Sequence, residues 1–279
     1  MNLACSMWSY FRVWKAGEID IPGFVREAQK AGAEGVELLD FFYKDADSER
    51  GGIQEALSET GLPVPIFSVA QNFAKPSEQD RLAELKKIEF GIQEAVFYGA
   101  KVVRVFAGDV AEGITYDQAR GWIVEGLAKA SVLAQDAGVR LALENHGTLA
   151  GKGNQVVELI HDVRTMAGND ALGANPDTGN FLLIDPPSHE AVAKVANLAY
   201  MVHFKDFRYA KDESEGFPYG PEGKRFVGTA LGEGEVDLKA CLAALRSAGF
   251  TGWLSLEYEG EEDPRTAVPR SLAHAKSLI

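Results

Sequence analysis

Four acidic or imidazole side chains in this sequence share one setting. Glu144 stands in LALENHG, Asp177 in ANPDTGN, His203 in MVHFKDF and Glu257 in LSLEYEG, each closing a short, largely apolar run. Successive side chains of a strand point to opposite sides, so Leu141 and Leu143 on one side put Ala142 and Glu144 on the other. By the same alternation Ser255 and Glu257 oppose Leu254, Leu256 and Tyr258, and Val202 and Phe204 flank His203. Asp177 is marked more weakly, by Ala174 and Pro176. Three carboxylates and an imidazole converging out of water would repel one another or take up protons. A divalent cation resolves that conflict. The oxygen-rich set favours Mn2+ or Mg2+, with Co2+ possible, over a thiolate-type zinc site, and an octahedral ion would keep positions for two substrate oxygens. Singly, each residue has a plainer reading as a surface ion-pair partner or a hydrogen-bonded core histidine. Four consecutive strand ends of this kind do not.

The elements that must position these residues follow from the hydrophobic pattern. Candidate strands run over Leu3–Trp8, Gly35–Asp40, Val64–Ala70, Val102–Gly108, Val139–His146, Leu172–Asp177, Tyr200–Asp206 and Gly252–Tyr258. Between them lie segments of helical period with defined starts: Ser77 to Asp80 and Thr115 to Gln118 fit the capping-box pattern. After Thr115, the residues Ile123, Leu127, Ala130, Ala134 and Ala137 recur at spacings of four and three, giving one apolar stripe that Gly138 ends as a left-handed cap. Alternating strand and helix implies parallel strands with crossover helices. With eight such units the fold class is α/β, a (β/α)8 TIM barrel, formed as one domain over residues 1–279. No GxGxxG or GxxxxGK[ST] follows a strand, which removes the usual support for a nucleotide-binding sheet. The connection after the seventh strand, 208–236, is long and rich in Gly, Pro and charge. Loops of that length are uncommon in compact domains, and here a lid over the C-terminal mouth is expected.

Composition narrows the partners. A formal net charge of −13 disfavours nucleic acid and anionic membranes, whose affinity for proteins comes largely from Lys and Arg. No apolar run approaches the roughly 18–20 residues of a membrane span, and MNLACSMWS lacks the basic start of a signal peptide. Cys5 and Cys241 stand far apart with no CxxC partner, as expected of buried free thiols in a cytoplasmic protein.

Through LENHG, PDTGN, VHFKD, LGEGEVD and the terminal LEYE, the whole chain resembles the xylose isomerase-like barrels of the sugar isomerase/epimerase superfamily. That group holds ketose 3-epimerases, hydroxypyruvate isomerases, inosose dehydratases and, more distantly, endonuclease IV. The resemblance implies that Glu144, Asp177, His203 and Glu257 hold one divalent metal. It implies too that Glu144 and Glu257 are the catalytic pair, flanking the substrate as acid and base. Chelation of a carbonyl and its neighbouring hydroxyl acidifies the C–H between them and stabilises an enediolate. Return of the proton to the opposite face is epimerisation, return to the adjacent carbon is isomerisation, and loss of a β-hydroxyl is dehydration. The expected substrate is therefore a ketose, keto sugar or cyclitol, with a lyase acting on a keto-inositol or 3-keto glycoside as the alternative. An assembly of several copies is compatible with this. A nuclease of the endonuclease IV type would need more histidine ligands than five scattered residues supply.

Further substrate contacts are expected around this centre. His146, two residues past Glu144, shares its inward parity and reaches either substrate or a structural bond at the rim. Asn180 stands three residues past Asp177, where ketose 3-epimerases have a histidine. Lys205 and Arg208 contact a hydroxyl, carboxylate or phosphate, or else form surface ion pairs. Trp8 and Glu37, ending the first two strands, supply the far wall, with rim packing the plainer role for Trp8. In LGEGEVD the acids Glu233 and Glu235 would repel a phosphate. The segment reads instead as a turn presenting Asp237 as a helix N-cap, and a phosphorylated substrate is not the first choice.

Overall fold

A computed structural model describes residues 1–110, 112–219 and 223–279. Its strands, in chain order, are β1 (Asn2–Ser6), β2 (Gly35–Leu39), β3 (Ile66–Ser68), β4 (Val102–Val105), β5 (Arg140–Glu144), β6 (Leu172–Asn175), β7 (Val202–Phe204), β8 (Asp206–Tyr209), β9 (Phe217–Tyr219), β10 (Lys224–Thr229) and β11 (Trp253–Leu256). Eight of them pair side by side in the order β6-β5-β4-β3-β2-β1-β11-β7, every pair parallel. The ring closes between β6 and β7 through bridges joining Ala174 to Ala199 and Asp177 to His203. There the backbone N–H groups of Tyr200 and His203 donate to the carbonyls of Ala174 and Pro176, at 2.9 and 3.1 Å. This is the expected (β/α)8 barrel. Its closure also sets Asp177 beside His203.

The helices bury the faces that their periodicity marks. In the helix Tyr116–Asp136, Ile123, Leu127, Ala130 and Ala134 are buried, and Thr115 and Gln118 form the reciprocal cap. Ala137 departs from the stripe: it is the exposed C-cap, because the helix has already ended, and Gly138 follows with φ 70°. Ser77 caps its helix by accepting from the N–H of Asp80. Inside the barrel Ala142 packs with Ile66, Val102 and Met201, apart from the main core, into which Leu141 and Leu143 point. Apolar side chains thus fill one part of the barrel axis, and the polar residues gather at the C-terminal ends of the strands.

The connection at 208–236 carries more structure than a loop. Strands β8, β10 and β9 form a separate antiparallel sheet, with Phe226 opposite both Tyr209 and Phe217; residues 220–222 of this connection lie outside the described residues. Its last part is pinned by Asp206, whose carboxylate accepts from the backbone N–H groups of Gly232, Gly234 and Val236 at 2.9, 3.0 and 3.1 Å. A Cβ on Gly234 would lie 2.1 Å from that carboxylate, so only glycine lets the backbone wrap it. The glycines of LGEGEVD therefore cradle an acid of their own chain, and Asp237 then caps the next helix at Ala240. At the other edge Gly228 of β10 bridges Gly260, just past β11, and the Tyr219 hydroxyl takes a bond from the backbone of Gly147, past β5. The small sheet is thereby tied to two sides of the mouth.

Candidate metal centre and active site

Glu144 ends β5, Asp177 follows β6, His203 lies in β7 and Glu257 follows β11, and all four are buried. One ligand atom from each falls within 4.8 Å of all the others. His203 Nδ1 is 3.1 Å from Glu144 Oε2 and 3.7 Å from both Asp177 Oδ2 and Glu257 Oε2.

The ring of His203 is held from behind. Its Nε2 faces both oxygens of Glu37 at 3.1 Å, and that carboxylate also accepts from the hydroxyls of Ser255, at 2.5 Å, and Ser68. Burial pushes the Glu37 carboxyl up, but His203, Arg104 and Ser255 outweigh it and leave it below the usual carboxylate range. An ionised Glu37 accepts the hydrogen bond of Nε2–H and turns Nδ1 toward the centre, the arrangement that orients histidine ligands in metal sites. Glu37 is accordingly enclosed in the barrel behind His203, not spread along the far wall of the mouth.

Among the described residues four buried atoms at the centre have no aligned hydrogen-bond partner: Arg104 Nε and Asn175 Oδ1 and, within the ligand-type set itself, His203 Nδ1 and Asp177 Oδ2. Lys205 Nζ does lie 3.0 Å from the latter, but out of hydrogen-bond alignment. Buried polar atoms seldom go unpaired, and a divalent ion between His203 Nδ1 and Asp177 Oδ2 would satisfy both. The donor set, three carboxylates and one imidazole, also fits such an ion.

Cations already in the chain offset part of the acidity. Lys205 is 3% exposed, with Nζ 2.5 Å from Glu257 Oε2 and 3.0 Å from Glu259 Oε1. Arg104, inward on β4 between Val103 and Val105, brings Nε to 3.2 Å from Glu144 Oε2 and lays its guanidinium over Phe106 at 4.0 Å. For Glu144, burial is outweighed by His203 and Arg104, and its carboxyl lies well below the usual range. Burial pushes Asp177 the other way, to about 7, with Lys205 opposing and Glu144 and Glu257 adding to the rise.

The neighbours sort by their contacts. Asn145 turns from the axis and clips the backbone of Asp177, accepting from its N–H at 2.6 Å and donating to its carbonyl at 3.1 Å. Asn180 is capped by Asp177 Oδ1 at 2.8 Å and donates from Nδ2 to Glu144 Oε1 at 3.0 Å, so it touches the centre directly. His146 is half-buried, its ring 4.7 Å from that of Phe106. Trp8 reaches Glu259 Oε1 through Nε1 at 3.0 Å, the oxygen that Lys205 also contacts. Arg208 is not drawn in: its guanidinium pairs with Glu215 of the same connection at 2.9 Å. Arg104, Glu259 and Asn175, whose Nδ2 lies 3.4 Å from Glu144 Oε2, were not singled out from the sequence. The parity that places Glu144 inward would have found Arg104 and Asn175, and Glu259 lies two residues past Glu257.

A (β/α)8 barrel with buried acidic and imidazole side chains grouped at its C-terminal mouth defines the class. The sequence matches the family described as "Xylose isomerase-like TIM barrel" over residues 25–278, and the chain belongs to that family. An inosose dehydratase from Geobacillus thermodenitrificans is 26% identical over 269 residues, 91% of this chain and 86% of that protein. An L-ribulose-5-phosphate 3-epimerase from Salmonella paratyphi C is 26% identical over 238 residues, 83% and 78% of the two chains. Among solved structures, a xylose isomerase-like TIM barrel protein from Mycobacterium smegmatis in complex with magnesium aligns with a TM-score of 0.74 at 19% identity. That alignment covers 99% of this chain and 96% of the other, a likeness of fold.

Proposed function

We propose that this chain is a divalent-metal-dependent isomerase or epimerase acting on a ketose, keto sugar or cyclitol by moving a proton beside a carbonyl. The observation that carries the reading is the buried set Glu144, Asp177, His203 and Glu257, with His203 Nδ1 and Asp177 Oδ2, neither in an aligned hydrogen bond, turned into it. These four residues would hold the ion, Mn2+ or Mg2+ by the hardness of the oxygens, with Co2+ also suited. Bound there, the ion would supply Lewis acidity toward a carbonyl and its neighbouring hydroxyl.

The chain's own residues do the rest. Glu144 is the carboxylate placed to accept a proton: His203 and Arg104 keep it ionised, and Asn180 and Arg104 fix its two oxygens. Glu257 is the other member of the acid–base pair, and Lys205 Nζ holds its Oε2 at 2.5 Å. Trp8 and His146 stand nearer the rim as substrate walls, and the small sheet, tied at Gly147 and Gly260, restricts water at the mouth. Cys5 and Cys241, both free and buried, support a reducing compartment, the cytoplasm.

A dehydratase is the second reading, favoured by the inosose dehydratase relative that spans nearly the whole chain. Incubating the metal-loaded protein with candidate keto sugars and inososes in D2O separates the two. Solvent deuterium incorporated without loss of water supports the isomerase or epimerase, and an absorbing enone supports the dehydratase. Failure of every keto sugar to exchange would sink both.

A further inference from the structure

One aromatic cluster at the mouth is used by the chemistry above only at Trp8. The short turns after β1 and β2 carry Trp8, Phe11 and Trp14 on one side and Phe41 and Phe42 on the other. Their rings form one cluster: Trp8 stacks on Phe11 at 4.8 Å, and Phe41 lies 5.6 Å from Trp8, 5.8 Å from Phe11, 5.7 Å from Trp14 and 5.4 Å from Phe42. Four rings hold Phe41 in place, yet it leaves 46% of its surface open. Phe42 is buried beneath it and Trp8, Phe11 and Trp14 are half-buried, so Phe41 stands open in a frame of partly exposed rings, and an apolar patch built in this way marks a binding site more often than a lone exposed side chain does.

The shelf is continuous with the proposed centre. Glu257 contacts Lys205, Lys205 contacts Glu259, and Glu259 accepts from Trp8 Nε1, in steps of 2.5, 3.0 and 3.0 Å. The indole is thus anchored by its polar edge to the site while its ring joins the shelf. On the outer side Trp14 and Phe42 help to line a cleft of about 730 Å³, which leaves room beyond the shelf. The basic groups closest to the carboxylates, Lys205 and Arg104, are paired with them, and Arg208 is paired with Glu215. Beyond the reacting carbons the mouth on this side presents aromatic surface, with Lys15 Nζ 5.7 Å over the Phe11 ring at its outer edge.

We propose that this shelf is the subsite for an aromatic ring carried by the substrate, so that the chain takes a keto sugar bearing an aryl aglycone. The inference rests on the keto-sugar reading above and adds the class of substituent. Ring-on-ring contact with Phe41 and Trp8 contributes through buried area and through stacking geometry. The sugar stays at the carboxylates and the aglycone lies outward over the shelf.

The test compares two probes that differ only in the aglycone, the methyl and phenyl 3-keto-β-D-glucosides, titrated calorimetrically into metal-loaded protein. The phenyl glycoside is expected to bind about tenfold more tightly, a preference that Phe41→Ala reduces toward one while its melting curve confirms a folded protein. Equal affinities in the wild type, or a preference that survives Phe41→Ala, overturn the subsite and leave the keto-sugar reading standing. Binding of neither glycoside overturns the aryl-glycoside proposal too, while exchange of other keto sugars in D2O decides the keto-sugar reading separately. Sedimentation of the same samples tests the rival occupant, a second copy of the chain: a dimer that Phe41→Ala dissociates overturns the proposal.

Discussion

Lys205 places its ammonium 2.5 Å from Oε2 of Glu257, out of contact with bulk water and within a cluster of acids that would hold a divalent ion. The same nitrogen is 3.0 Å from Asp177 Oδ2, so a side chain of the protein already supplies positive charge to oxygens the ion would use. Removing one partner of a buried pair leaves the other uncompensated, at a cost of about 3–5 kcal/mol. Lys205→Met should therefore melt well below the wild type when both are treated with chelator, and it should bind the divalent ion more tightly. Thermal melts with and without chelator, with calorimetry of ion binding, check both parts; an unchanged melt of the chelated variant counts against this role.

Glu37 should govern ion affinity without touching the ion. It is His203 Nε2 that it holds, together with Ser68 and Ser255. Loss of such a support typically weakens metal binding about 10–100-fold. Glu37→Gln is expected to fall in that range, read by competition with a chelating dye, with the fold retained by circular dichroism.

Glu144→Gln and Glu257→Gln keep shape and remove charge. Each should lower turnover by about 10²–10⁴-fold, the usual contribution of a positioned acid or base. Turnover measured at saturating metal separates this from weakened ion binding, and wild-type rates in both variants would falsify the acid–base assignment.

Uptake of the ion should release protons and tighten as pH rises. Burial pulls the His203 imidazole down, but Glu37, Glu257 and Glu144 more than reverse it, leaving it well above its ordinary value of 6.5. The metal-free protein thus holds a proton at neutral pH on a ring that must give one up to ligate. For folding, stabilisation from the raised imidazole is full below the unfolded value and is lost as pH climbs through the folded one. Calorimetry of ion binding at pH 7 in two buffers of different ionisation enthalpy reads the proton count, and equal heats in both buffers would contradict it.

Cys5 and Cys241 should resist alkylation in the native state. Burial pushes both thiols up to about 12, so almost no thiolate is present at pH 8. Iodoacetamide labelling followed by mass spectrometry is expected to modify them only after denaturation.

Much of the centre was legible from strand parity, because alternation along a strand is a local property. Leu141 and Leu143 outward put Glu144 inward without knowledge of any other strand. The same logic served His203 and Glu257, and it separated Asn145, which braces Asp177, from its neighbour Glu144. Helix caps at Thr115 and Asp237 were equally local. Arg208 was not legible in this way. Its partner Glu215 lies on the chain that folds back as β8, β9 and β10, and that pairing takes it from the mouth.

The sequence by itself determined that four strand ends carry ligand-type side chains and that eight strand–helix units wind into a barrel, since spacing and alternation record which way each residue faces. Tertiary structure decided what those residues meet. His203 and Glu37 stand 166 positions apart, and Glu259 and Trp8 stand 251 apart. Closure of the ring and the stagger of its strands bring such pairs within hydrogen-bond reach, and no periodicity along one strand encodes the height at which its neighbour across the axis will stand.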